Sequence, residues 1–337
     1  METLLHARGT MTKRVLITGI NGQDGSYLTD LLLDEGCEVH GLYRRSSVDN
    51  LRRLAHLRGH PRLNLWPGDV TDASSLEAVV AESQAEEVYH EADQDSVGWS
   101  AITPAYQIDT TVKAVVHLLE AVRLHIPQAR VFLPCSAMMF GDPAYSEFDP
   151  DGKALTEKSP FAPASVYGAA KVAVHQLAGM YRRRHGMFVT CGILFNHDSP
   201  RRSEHYLLHK ICLGARRIAK GEQQTIPLGN LDGKVDVGFS RDYMEAAIAM
   251  VRFRRPEDYV VASGQAHTVG ELLSLALSMA GVQHGPRELE KFVTPDPAFT
   301  FKPRGVLWGS YEKALADLGW RPRTHIKALV KMILEAA

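Results

Sequence analysis

Arg14-Val15-Leu16-Ile17-Thr18-Gly19-Ile20-Asn21-Gly22-Gln23-Asp24-Gly25-Ser26-Tyr27-Leu28 is the stretch whose reading decides the fold. Its first five residues form a β-branched, apolar run of the kind buried on both faces in a parallel sheet. Gly19, Gly22 and Gly25 follow at GxxGxxG spacing, and Tyr27, Leu28, Leu31 and Leu32 then recur with helical period. Glycines between a strand and a helix permit a tight turn and let backbone N–H groups approach a pyrophosphate at the positive end of the helix. A glycine triplet alone says little; its position between strand and helix gives it meaning.

Working outward, strands at 38–43, 63–66, 87–90 and 130–133 alternate with helices near 74–82 and 104–124. That alternation predicts an α/β fold, a Rossmann-like doubly wound parallel sheet with helices on both faces. Past residue 190 the pattern loosens into helices near 207–220, 243–251 and 269–280, with two closing helices at 311–318 and 325–335. The expected organisation is a disordered leader at 1–13, a dinucleotide-binding domain at 14–190 carrying the catalytic residues, and a smaller mixed α/β substrate-binding portion at 191–337 that returns strands or helices to the sheet.

Composition narrows the function classes. The 337 residues carry 38 Lys+Arg against 39 Asp+Glu, a net charge of −1, which argues against a bulk electrostatic binder of nucleic acid. No run approaches the ~20 apolar residues of a membrane span, and residues 1–13 lack the apolar core of a signal peptide. Cys37, Cys135, Cys191 and Cys212 stand far apart and suggest neither a disulfide scaffold nor a metal site. A cytoplasmic location is the expectation.

The turn after the second strand reads Tyr43-Arg44-Arg45-Ser46-Ser47. An acid there would bind the ribose 2′-hydroxyl of NAD, whereas two arginines and two hydroxyls suit a 2′-phosphate. The expected cofactor is therefore NADP, with NAD as the alternative, tightly bound and recycled. It would be held by Gly19, Asn21, Gly22, Gln23, Asp24, Gly25, Arg44, Arg45 and Ser46, with Asp69 and Val70 beside the adenine. Tyr167 and Lys171 form a YxxxK pair on one helix face, where the ammonium can lower the phenol pKa and bind the cofactor ribose. Ser136, at the end of a strand, completes a set suited to taking a proton from a carbinol while its hydride moves to a nicotinamide.

These three residues and the GxxGxxG spacing resemble extended short-chain dehydrogenases/reductases. The strings from Leu16 to Leu28 and from Gly192 to Arg202, with Arg44-Arg45-Ser46-Ser47, Leu228-Gly229-Asn230, Arg241-Asp242-Tyr243 and Leu318-Gly319-Trp320, resemble the GDP-mannose 4,6-dehydratase family over nearly the whole chain. The resemblance implies bound NADP, a GDP-hexose or related nucleotide-sugar substrate, and a homodimer or homotetramer. Carried over by position, it implies substrate contacts from Asn196, Lys210, Arg202 and Lys302.

The chain departs from the family pattern at four places. Met138 stands where the family carries the glutamate that removes the C5 proton and helps expel the C6 hydroxyl, and a thioether does neither. His90-Glu91-Ala92-Asp93-Gln94-Asp95 replaces Asn-Leu-(Gly/Ala)-Ala-Gln-Ser and places Glu91, Asp93 and Asp95 beside the expected cleft as possible acid/base groups. Val235-Asp236-Val237 replaces Arg-Asp-Trp. Lys302-Pro303-Arg304-Gly305-Val306 lacks the family's glutamate. The reading favoured on Met138 is a 4-epimerase that oxidises C4 and returns the hydride. The alternative is 4,6-dehydration with a relocated acid/base; a 4-keto reductase and a catalytically dead sensor are separate readings that rank below both.

Overall fold

The computed structural model describes residues 12–141, 153–285, 288–296 and 305–336. The opening run forms β1 (Arg14–Thr18), and the glycine turn leads into α1 (Gln23–Asp34). There follow β2 (Glu38–Tyr43), β3 (Leu63–Pro67), α2 (Ala73–Ser83), β4 (Glu87–His90), α3 (Val97–Ile102), α4 (Pro104–Ile108), α5 (Ala114–His125), β5 (Arg130–Ser136), α6 (Val166–His185) and β6 (Phe188–Leu194). The rest of the chain supplies β7 (Asn196–Asp198), α7 (Leu207–Ala219), β8 (Ile226–Leu228), β9 (Lys234–Phe239), α8 (Ser240–Arg252), β10 (Tyr259–Val261), β11 (Ala266–Thr268), α9 (Val269–Met279), β12 (Val293–Pro295), α10 (Glu312–Leu318) and α11 (Ile326–Ala336).

Seven strands form one parallel sheet in the order β10-β6-β5-β4-β1-β2-β3. Successive strand residues feed opposite cores. Val15, Ile17 and Phe132 join Leu28, Leu32, Tyr243 and Met244 of α1 and α8, while Leu16, Val131 and Leu133 join Leu76, Leu118, Val122 and Val174 of α2, α5 and α6. Burial on both faces explains why these strands read as continuous apolar runs. Strand order reverses between β1 and β4, so the crevice beyond their carboxyl ends is where such a sheet receives a ligand.

The later chain builds a small sheet, β11-β9-β7, and a β12-β8 pair, against which α7, α9 and α11 pack. It also returns β10 to the main sheet beside β6. No helix among the described residues is long and apolar enough to cross a membrane.

The helix α6 is tied to the β10 side of the sheet through Asp258. Arg182 Nη2 lies 2.7 Å and His175 Nε2 3.1 Å from its Oδ2, and the Cys191 N–H donates to its Oδ1 at 3.0 Å. Burial would raise this carboxyl, but the His175 and Arg182 hydrogen bonds and charges hold it at about 2. A depressed carboxylate stabilises the fold above its unfolded pKa and loses that contribution as pH falls through its folded one. Asp258→Asn should therefore cost about 2 kcal/mol at neutral pH. Urea unfolding should show the deficit of the variant shrinking between about pH 4 and pH 2.

Candidate active site

The glycine turn and the tail of β4 meet at the reversal point. Gly19 takes φ +66°, and a Cβ there would lie 2.7 Å from the Ala92 backbone nitrogen, so both the conformation and the close approach exclude a side chain. The Glu91 N–H donates to the Thr18 carbonyl at 3.0 Å, and the Gly22 N–H to the Gly19 carbonyl at 2.8 Å. Gly22 caps α1 without a side-chain acceptor, leaving the first N–H groups of the helix for an anion, which fits the pyrophosphate of a dinucleotide. Gln23 and Gly25 are buried in that first turn, while Asn21 donates to the Asn50 carbonyl.

Arg44, Arg45 and Ser46 are exposed at the end of β2, with Arg44 Nη1 donating to the Tyr106 hydroxyl at 2.8 Å. After β3, Asp69 accepts from the Thr71 N–H and hydroxyl at 2.9 and 2.7 Å, and Val70 is buried beside it. Asp24 is held below the usual carboxylate range against the cost of burial, by His197 at 3.0 Å and by the Ser240 hydroxyl at 2.5 Å. It therefore ties the turn to β7 and α8.

Ser136 ends β5 and accepts from the Met138 N–H at 3.2 Å. The α6 helix begins with Ser165 accepting from the Gly168 N–H at 3.0 Å, which sets Tyr167 and Lys171 one turn apart on a buried face. Lys171 Nζ lies 5.7 Å from the centroid of the Tyr167 ring. Burial and the nearby Asp93 and Asp95 push the phenol up, opposed by Lys171 and by a hydrogen bond with Ser136. Ser136, Tyr167 and Lys171 are thus brought together. His90, on β4 nearby, shares a 2.8 Å hydrogen bond with Thr18, and burial pushes it down to about 3, so it is neutral.

The three carboxylates after β4 have different surroundings. Asp95 is exposed, accepts from the Tyr206 hydroxyl at 2.7 Å and pairs with Arg202 at 3.1 Å. Asp93 pairs with Lys171 at 2.6 Å and accepts from the Thr111 hydroxyl. Glu91 has a buried Oε1 with no hydrogen-bond partner. Burial, and then Asp24, push its carboxyl well above the usual range, with Asp93 adding and Lys171 opposing. Met138, in the turn that follows β5, is partly buried against the apolar core.

Asn196 is exposed at the start of β7, and Arg202 lies 3.5 Å over the Tyr206 ring. Lys210 Nζ is 3.9 Å from Asp296. Asp236, from the altered Val235-Asp236-Val237 stretch, is buried and accepts backbone N–H bonds from Ser263, Gly264 and Gly309. Lys302 falls outside the described residues. Sequence reasoning missed Thr111, His197 and Tyr206. Thr111 and Tyr206 contact the unusual aspartates, while His197 pairs with Asp24, and nothing in a linear string signals those pairings.

The model for the family described as GDP-mannose 4,6 dehydratase matches residues 16–333. The chain belongs to the GDP-mannose 4,6-dehydratase family. GDP-mannose 4,6 dehydratase 2 of Arabidopsis thaliana is 39% identical over 335 residues, covering 96% of this chain and 86% of its own. The human GDP-mannose 4,6 dehydratase is 34% identical over 343 residues, covering 95% and 90%. Among solved structures, UDP-glucose 4-epimerase of Thermotoga maritima with UDP-glucose has a TM-score of 0.80 at 22% identity, covering 96% of this chain and 97% of that one. The dTDP-glucose 4,6-dehydratase of Bacillus anthracis with NAD has a TM-score of 0.80 at 19% identity, covering 96% of each chain. A member of the GDP-mannose 4,6-dehydratase family, with this short-chain dehydrogenase fold, is a nucleotide-sugar-modifying, NAD(P)-dependent enzyme.

In this family member the seating of α6 rests on Gly168, where a Cβ would lie 2.4 Å from the Met138 carbonyl oxygen. Gly168→Ala must push the helix start away from the turn and carry Tyr167 with it. The expected result is a loss of turnover of about 100-fold with cooperative unfolding retained, checked by steady-state assay beside thermal melting.

Proposed function

We propose that the protein oxidises C4 of a GDP-linked hexose with NADP and returns the hydride within the same active site. The observation that carries this reading is the assembly of Ser136, at the end of β5, with Tyr167 and Lys171 on the buried face of α6. Tyr167 takes the C4 hydroxyl proton, Ser136 holds the same oxygen, and Lys171 stabilises the phenolate. Bound at the turn, NADP would supply the hydride acceptor. The uncapped start of α1 would hold its pyrophosphate, and Arg44, Arg45 and Ser46 would hold a 2′-phosphate. Asn196, Arg202 and Lys210 would meet the sugar diphosphate.

The product fork turns on proton transfer at C5 and C6. The names of the relatives support 4,6-dehydration better than epimerisation. With methionine at 138, dehydration needs another carboxyl group, and Glu91 is the one whose buried oxygen has neither a hydrogen bond nor an ion pair, whereas Asp93 is ion-paired with Lys171 and Asp95 with Arg202. The second reading, 4-epimerisation, is favoured by Met138 itself, because turning over the 4-keto sugar requires no acid at that position.

Incubation with GDP-mannose and NADP+ in deuterated water separates the two. Dehydration predicts a product lighter by one water that carries solvent deuterium. In that case Glu91→Gln should cut its formation at least about 100-fold while sparing NADP+ binding. An isomer of unchanged mass without solvent deuterium overturns dehydration in favour of epimerisation, and Met138→Glu should then introduce water loss. No reaction across GDP-, UDP- and CDP-hexoses contradicts both.

A further inference from the structure

Lys171 is buried, and its ammonium has two oxygen partners: the Pro134 carbonyl at 2.7 Å and Asp93 Oδ2 at 2.6 Å. The Asp93 contact is an ion pair without hydrogen-bond geometry. Asp93 is itself held, because its Oδ1 accepts from the Thr111 hydroxyl and from the Gln94 N–H at 2.7 Å. Gln107 locks the arrangement, donating to Thr111 Oγ1 at 2.6 Å and to the Gln94 carbonyl at 3.0 Å, and accepting from Gln94 Nε2 at 2.6 Å. Thr111 lies in a widened π-turn, Asp109–Lys113, that joins α4 to α5. Such turns insert a residue into a helix and recur at functional sites.

We propose that Asp93 is a positioning residue, which holds the Lys171 ammonium against β5 and draws its charge away from the Tyr167 phenol. An ammonium near a phenol favours the phenolate, whereas a carboxylate against the same nitrogen offsets much of that field. The groups that face Tyr167 are Lys171, Asp93, Asp95, Ser136 and Tyr206. Lys171 also faces Cys135, Glu91 and neutral His90. Of these, Asp93 alone is in ion-pair contact with the Lys171 nitrogen. It raises the phenol and keeps the lysine charged. Tyr167 consequently ionises at a higher pH with Asp93 present than without it.

This rests on the C4-oxidation reading only for its kinetic consequence, a rate that rises with pH, and the phenol can be followed without any substrate. The test is ¹³C NMR titration of ring-labelled tyrosine in the full chain, with and without NADP+, using Tyr167→Phe to assign the signal. Asp93→Asn should lower the Tyr167 midpoint by about one pH unit, equivalent to about tenfold more phenolate at a given pH below it. Asp93→Glu should stay close to the parent. Asp93→Ala serves as a second neutral variant should the asparagine form fold poorly. An unchanged or raised midpoint in the neutral variants overturns the proposal. Absence of sugar turnover with the predicted NMR shift would instead count against the C4-oxidation reading alone.

Discussion

The site depends on the contact between the turn after β1 and the tail of β4. Gly19 has room for no side chain, and Glu91 and Ala92 lie directly on it. The tail is thereby fixed over the carboxyl edge of the sheet. Three consecutive odd-numbered residues, Glu91, Asp93 and Asp95, are delivered into a cleft that must also receive a polyanionic cofactor and substrate. Each carboxyl group meets the resulting charge problem differently. Asp95 pairs across the cleft with Arg202, Asp93 pairs inward with Lys171, and Glu91 resists ionisation.

The fold was largely legible because its signals are local. The run at 14–18, the glycines behind it and the alternation of strands and helices to residue 133 each depend on a short window, and the strands lie at or within a few residues of their expected bounds. The YxxxK spacing likewise implies its own geometry once the helix is known. What the sequence concealed was long-range or irregular. One helix was expected over 104–124, but α4, a π-turn and α5 occupy that length, with α3 placed before Pro104. The π-turn carries Thr111 to Asp93, a contact between residues 18 apart that no periodicity encodes.

The acidic tail could be seen in the sequence, but its chemistry could not. Side-chain direction at a strand end depends on neighbouring elements, and here α6 and the π-turn both hold Asp93 while the 199–206 loop holds Asp95. Two of the expected substrate-binding cations are likewise engaged within the fold: Arg202 pairs with Asp95 at 3.1 Å, and Lys210 lies near Asp296. Binding a sugar diphosphate at these residues, as proposed, would entail exchanging protein carboxylates for phosphate oxygens. Near-zero net charge conceals this local balance of opposed groups.

The central claim is that Tyr167, Ser136 and Lys171 open the carbon–hydrogen bond at C4 and that the hydride is kept. A GDP-hexose carrying deuterium at C4 tests it most directly, with product examined by NMR. The account predicts that the label leaves its original position and is recovered on the product sugar, at C6 after dehydration or at inverted C4 after epimerisation, and that Tyr167→Phe abolishes the transfer. A product whose deuterium still occupies C4 in its original configuration, formed at the same rate by Tyr167→Phe, would contradict it.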